Sequence, residues 1–176
     1  MKLKIKIKKI GNAYLPREIK KGDWIDLSAA CDVYFKGPQS ETLKRKTVNG
    51  ITTATRDVVF SKKLVPLGVA MKLPKGFEAL LIVRSSLQKQ WLIQANSVGI
   101  IDNSYNGNND EWKLPLIALK ETLIPEGFRI CQFRIQLSQK ANIWQKLKWL
   151  FTNGIKIEEV QDLENVDRGG FGSTGV

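Results

Sequence analysis

LVPLGVAMKLPKGFEALLIVR, residues 64–84, sets two apolar runs on either side of one turn. LVPLGVAMKL and ALLIVR are rich in leucine, valine and isoleucine, and the LPKGF between them carries the Pro-x-Gly signature of a turn. The same alternation continues in both directions. KIKIKKI and DVVF precede it, while VGII, LPLIAL and RICQFRI follow, divided by KGD, NSYNGNND and IPEGF. Short apolar runs separated by glycine-containing turns predict an all-β sandwich or jelly roll rather than βαβ units. No internal repeat is present.

Length and composition agree with a soluble globular protein. A chain of 176 residues can bury a core in one domain, and 43% hydrophobic residues argue against wholesale disorder. No apolar run approaches the roughly 18 residues that a membrane crossing needs, and the N-terminus lacks a signal peptide's continuous apolar stretch. A cytoplasmic protein with no membrane partner is the expectation. With no histidine and only Cys31 and Cys131, usual zinc sites and Ser–His or Cys–His catalysis are excluded. Both cysteines are expected to be small core residues. Acid–base chemistry is left to carboxylates, lysine, tyrosine or a metal-bound water.

The formal net charge of +11 favours anionic partners: nucleic acid, phosphate-rich small molecules or a membrane surface. Much of the excess lies in KLKIKIKKI, where lysine alternates with Leu3, Ile5 and Ile7. This is the pattern of a half-buried strand with a solvated lysine face, placed at a sheet edge that lysine protects from aggregation. Two stretches break the strand pattern. Residues 36–57 are polar and are expected to form a long exposed excursion. In NIWQKLKWLF, residues 142–151, Trp144, Leu147 and Phe151 recur at helical spacing, predicting a short basic amphipathic helix within 142–153 that packs on its own domain.

Three further segments carry chemistry. RGGFGSTG, residues 168–175, is rich enough in glycine and hydroxyls to hold phosphate, yet lacks the lysine and following helix of a P-loop. In NSVGIIDNSYNG, residues 96–107, a short apolar strand delivers Asp102 at the start of a turn, with Tyr105 three residues on. An aspartate so placed can serve as general base, or simply as turn chemistry. VRSSL, residues 83–87, puts Arg84, Ser85 and Ser86 after a strand as an anion-binding corner.

In this order, together with GDWIDLSAA (22–30) and GFRICQFRI (127–135), these segments resemble the five motifs of the homotrimeric dUTP pyrophosphatases, the dUTPases. The resemblance runs from about residue 20 to the C-terminus. It implies a dUTPase-type jelly roll of residues 1–160 and an arm, residues 161–176, exchanged between subunits of a homotrimer. It implies hydrolysis of dUTP to dUMP and pyrophosphate with Mg²⁺. Asp102 would activate the attacking water, and Asp26 would reach the metal through its water shell. Arg84, Ser85 and Ser86 would hold phosphate oxygens, with Gln132 near the α-phosphate. Asn96 and the hairpin around Ile101 would read uracil, and Tyr105 would pack beneath the deoxyribose. Arg168, Ser173 and Thr174 would face the γ-phosphate and Phe171 would cover the base, with Trp91 as an alternative lid. The fifth segment is two residues shorter between its arginine and phenylalanine than the family's usual Arg-Gly-x-Gly-Gly-Phe. A dCTP deaminase shares the implied fold but needs a glutamate where Asp102 stands. A nucleic-acid or regulatory-protein binding module, built on the lysine strand, Lys44–Lys46 and the Trp144–Phe151 segment, is the alternative of a different class.

Overall fold

Alternating lysine and apolar residues give the strand Leu3–Lys9 one face that buries Leu3, Ile5 and Ile7 and another that carries Lys4, Lys6 and Lys8. In this computed structural model, which describes residues 1–18 and 22–170, that strand is central rather than at an edge. Val69–Lys72 pairs antiparallel on one side and Ile155–Glu159 pairs parallel on the other. The late strand IKIEE is the reason. It supplies Glu158 to the lysine face, where Lys4 meets it at 2.7 Å and Lys6 reaches Glu164 at 3.4 Å; at the strand's end Lys9, on the other side, meets Glu159 at 3.5 Å. Exposed pairs of this kind add little stability, but they neutralise much of the lysine stripe.

Of the stretch 64–84, ALLIVR lies in one strand as expected, Phe77–Val83, but LVPLGVAMKL is broken at Gly68 (φ 64°) into the end of Ser61–Pro66 and Val69–Lys72, and the three strands belong to three different sheets. Phe77–Val83 belongs to a five-stranded antiparallel sheet, with Gly99–Ile101 on one side and Arg129–Leu137 on the other, followed by Ile25–Ser28 and Arg17–Glu18. A third sheet sets Lys113–Ala118 between Leu92–Gln94 and Ser61–Pro66. Their inner faces meet in one core in which Trp112 and Phe133, both fully buried, pack edge-on with ring centroids 5.2 Å apart. The all-β expectation holds. No helix among the described residues is long and apolar enough to cross a membrane.

Residues 36–60 leave this core as a ribbon. Gln39–Ser40 pairs with Val58–Val59 at its foot, and Lys44–Val48 pairs with Ile51–Thr55 around a turn with Asn49 and Gly50 at positive φ (52° and 79°). DVVF is therefore no core strand: Val58, Val59 and Phe60 are exposed at the ribbon's foot because the ribbon has no second layer. The second excursion departs further from expectation. The helix Ile143–Leu150 forms, closed at its start by a reciprocal Asn142–Gln145 capping box, but none of its residues is buried. Ile143, Trp144, Leu147, Leu150 and Phe151 are exposed, and the face turned inward carries Trp149, tilted against Phe77 at 5.4 Å, and Gln145 over Gly76. The apolar stripe faces away from the domain because the turn at Gly76 takes up the opposite face. Of the two cysteines, Cys131 is buried and Cys31 is exposed in the turn after Ile25–Ser28, correcting the expectation that both lie in the core.

Candidate functional site

Of the predicted site residues, Asp26, Gln132 and Ile101 lie on strands of the five-stranded sheet and Arg84 and Asp102 directly follow two of its strands, at two separate places. At one, Asp26 lies within Ile25–Ser28, paired in register with Gln132, which in turn faces Ile82. Asp26 is a buried strand residue, not part of a turn; its Oδ2 accepts from Arg129 Nη1 at 3.0 Å and forms an ion pair with Arg84 Nε at 3.2 Å. Two guanidinium groups thus stand against one buried carboxylate. Arg84 also caps the 3₁₀ helix Ser85–Gln90, so Ser85 and Ser86 stand at the start of that turn beside it. Cys131, between these residues, has its thiol pushed well up by burial and by the nearby Asp26 charge.

At the other place, Gly99–Ile101 runs out along Phe77–Val83 and ends in the turn that bears Asp102. Asn103 holds that turn in place by donating its side-chain amide to the carbonyls of Pro74 (2.8 Å) and Phe77 (3.1 Å). Asp102 itself is exposed. Its Oδ1 accepts from the Ser104 hydroxyl at 2.8 Å and the Ser104 backbone N–H at 3.1 Å, and its Oδ2 accepts from Arg168 Nη1 at 3.0 Å. The Ser104 hydroxyl, then the Ser104 amide, then the Arg168 charge hold this carboxyl below its ordinary value, so it is ionised at neutral pH. The neighbouring Tyr105 donates its hydroxyl to the Glu111 carbonyl at 2.8 Å, and burial, followed by the charges of Asp110, Glu111 and Asp167, pushes its phenol up. Asn96 is exposed and accepts at 2.9 Å from Gln94, whose amide also spans Val83 N–H and the Leu81 carbonyl. Trp91, expected as an alternative lid over the base, is exposed in the left-handed region (φ 57°) after Gln90.

The strand registers separate these two groups. Asp26 shares a rung with Ile82, whereas Ile101 shares one with Ala79 and Asp102 follows it. With a rise of roughly 3.3 Å per residue and strands roughly 4.8 Å apart, four residues along and three strands across amount to about 20 Å. One chain therefore does not bring Arg84, Ser85, Ser86 and Gln132 to Asp102.

The chain's own tail does reach Asp102. Arg168 of the glycine-rich segment is there, while Phe171, Ser173 and Thr174 lie outside the described residues. The residue that sequence reasoning passed over is Asp110, buried at 1% exposure, whose carboxylate accepts from the backbone of Gly107, Arg168 and Gly169. The only signal was the acid closing NSYNGNND, a stretch that composition marks simply as a turn. No cluster of three acidic, histidine or cysteine side chains suited to a metal occurs among the described residues.

Comparison with known proteins gives a coherent result. A family model described as dUTPase matches residues 51–175, well over half of the chain. The SPbeta prophage-derived deoxyuridine 5'-triphosphate nucleotidohydrolase YosS of Bacillus subtilis (strain 168) is 43% identical over 159 residues, covering 90% of this chain and 87% of its own length. Among solved structures, the dUTPase from Streptococcus mutans superposes with a TM-score of 0.58 at 22% identity, over 77% of this chain and 98% of its own. A variant of the dUTPase from phage phi11 of S. aureus, described for its coordination of a structural Mg(II) ion, gives 0.56 at 17% identity over 79% and 94%. These solved structures share the fold. Because the Streptococcus chain is covered almost whole, about a quarter of the present chain lies outside the part they share.

Proposed function

The chain belongs to the dUTPase family, and from that premise we infer that it hydrolyses dUTP to dUMP and pyrophosphate. The observation that carries the reading to residues is the meeting of the third segment and the C-terminal segment at Asp102. An ionised, exposed carboxylate fixed by Ser104 is suited to orient a water and take its proton in an attack on the α-phosphorus. Asp102 Oδ2 is the oxygen that Arg168 occupies. Binding of a triphosphate offers that guanidinium a richer anion, and its transfer to phosphate oxygens leaves Oδ2 to the water.

Uracil is assigned to the hairpin of Asn96, Ile101 and Tyr105. A site whose backbone groups read the base edge discriminates strongly, because a wrong base leaves buried polar groups unpaired. Phosphate oxygens are assigned to Arg84, Ser85, Ser86 and Gln132, which lie roughly 16–20 Å or more from Asp102 in the same chain on the strand spacings. That separation supports a homotrimer in which a neighbouring protomer brings this edge of its sheet to each Asp102. An exchanged arm would present the same residues 162–170 to an identical loop of a neighbour, so the contacts described above serve either arrangement. Phe171, Ser173 and Thr174 then close over the nucleotide.

Asp26 is assigned no direct bond to Mg²⁺, because its Oδ2 is already paired with two guanidinium groups; its place in this reading is beside the ion's water shell. No step is routed through a protein-held metal; Mg²⁺ enters as the counter-ion of the triphosphate substrate. Pyrophosphate release measured across the four common dNTPs and dUTP, with Mg²⁺ and with EDTA, tests the whole reading. Turnover of dUTP alone is expected, lost with EDTA. Ammonia from dCTP in place of pyrophosphate from dUTP would move the chain to the deaminases.

A further inference from the structure

Three consecutive side chains, Asn108, Asn109 and Asp110, each grip the tail at a successive point. Asn108 donates its amide to Asp162 at 2.8 Å and accepts from the Leu163 backbone at 3.0 Å. Asn109 donates both its backbone N–H (2.8 Å) and its side-chain amide (2.7 Å) to the Asp167 carboxylate, and these bonds hold that carboxyl below its ordinary value. Asp110 accepts from Arg168 N–H at 2.9 Å and Gly169 N–H at 2.8 Å, and the Gly107 amide closes its own turn at 2.8 Å. Leu163 is fully buried, and its carbonyl accepts from Lys72 at 3.0 Å.

Glycine is required at the contact. A Cβ on Gly107 would come within 2.3–2.6 Å of Asp167 atoms, including its backbone N and Cα. The tail thus lies directly on the loop's main chain, at a place where any side chain would lift it away. Asp110 differs from its two neighbours because it is buried and charged. An ionised carboxylate out of water needs its donors, and three backbone N–H groups, two of them from the tail, are what it has. Removing the tail leaves that charge poorly matched. Docking is therefore favoured even without nucleotide, and it delivers Arg168 to Asp102 with its side chain already aimed.

We propose that Asp110 is a positioning residue that latches the root of the glycine-rich tail, at Arg168 and Gly169, onto the third-segment loop and so holds Arg168 at Asp102 before nucleotide binds. The inference rests on the dUTP reading for its catalytic consequence but not for the latch itself. Asp110→Asn keeps the shape and puts an amide donor among N–H donors. Gly107→Ala obstructs the tail while leaving the buried carboxylate intact, and it decides the matter should Asp110→Asn fail to fold.

The test is limited trypsin digestion of the nucleotide-free full chain, followed by mass spectrometry at the Arg168–Gly169 bond, with cleavage in the exposed Lys44–Lys46 ribbon as the internal reference. Loss of hydrogen bonds to a charged group should raise cleavage at Arg168 by about 10- to 100-fold in each variant and leave the ribbon unchanged. Turnover of dUTP should fall in parallel, while affinity for dUMP, which lacks the γ-phosphate assigned to Arg168, Ser173 and Thr174, should fall by a smaller factor than that turnover. Equal cleavage at Arg168 in the parent and in folded Gly107→Ala overturns the latch. Absence of dUTP turnover in the parent overturns the functional reading instead, and the digestion then still decides the latch.

Discussion

Two aspartates on the same sheet are held in opposite ways, and the contrast separates what keeps this fold together from what it presents to a substrate. Asp26 is buried in mid-strand between Arg84 and Arg129, a carboxylate whose partners are built into the neighbouring elements. Asp102 is exposed on a turn and is held by its own neighbour Ser104 and by a guanidinium from the far end of the chain. The first is matched permanently. The second is matched by a group that can leave. A buried pair broken by removing one partner strands a charge, whereas an exposed pair is worth little to stability. The chemistry should therefore reside at Asp102 and the structural consequence at Asp26.

Exchanging each aspartate for asparagine is the sharpest way to break that contrast. Asp102→Asn should lower dUTP turnover by about 10²- to 10⁴-fold, the range for a lost general base, with a melting curve close to the parent's. Asp26→Asn should instead lose about 2–3 kcal/mol in urea unfolding, short of the 3–5 typical of fully enclosed pairs because both arginines are partly exposed. Equal loss of activity and stability at both positions would erase the distinction.

The tail end of the contrast can be tested by mixing. A chain lacking residues 168–176 should turn over dUTP poorly yet remain folded, since its core lies elsewhere. Co-expressed with Asp102→Asn chains, it should regain activity: a trimer that exchanges arms pairs the intact Asp102 of one protomer with the intact arm of another. Mixtures as inactive as their parts would place Asp102 and the arm in the same chain.

How much of this was legible beforehand differs between the same two regions. The strand Phe77–Val83 and the turn at Asp102 follow from periodicity and glycine and stand where those signals put them, whereas the run LVPLGVAMKL is divided at Gly68 between two sheets. The Asp26 cluster was not legible, because WIDLS reads alike as a turn or as a strand until Gln132 is found opposite it. The latch was hidden for a related reason. Asn108, Asn109 and Asp110 have turn composition, and their partners lie 54–59 residues later, a pairing that no local pattern encodes. The same blindness placed Leu3–Lys9 at an edge, since IKIEE arrives some 150 residues after it. The helix erred in the other direction. Amphipathic spacing identified Ile143–Leu150 but not which side the domain would cover, and Trp149, off the main stripe, makes the contact.

The smallest effect should come from Ser104, and its sign is fixed by what Ser104 does. Its hydroxyl is the foremost cause of the lowered Asp102 carboxyl, so the carboxylate form is retained to lower pH than an ordinary aspartate's. Turnover that needs ionised Asp102 persists until pH falls through that depressed value. The small stability the ionised form contributes is present above the unfolded value and is lost over the same descent. Ser104→Ala removes the hydroxyl but keeps the backbone N–H and Arg168, so the titration should move up towards the ordinary carboxylate range without reaching it. The acid limb of kcat/KM and an NMR titration of the Asp102 carboxyl should move together, while turnover near neutral pH is little altered. A limb that stays in place in Ser104→Ala would mean that another group sets it, and Asp102 would lose its claim to the proton.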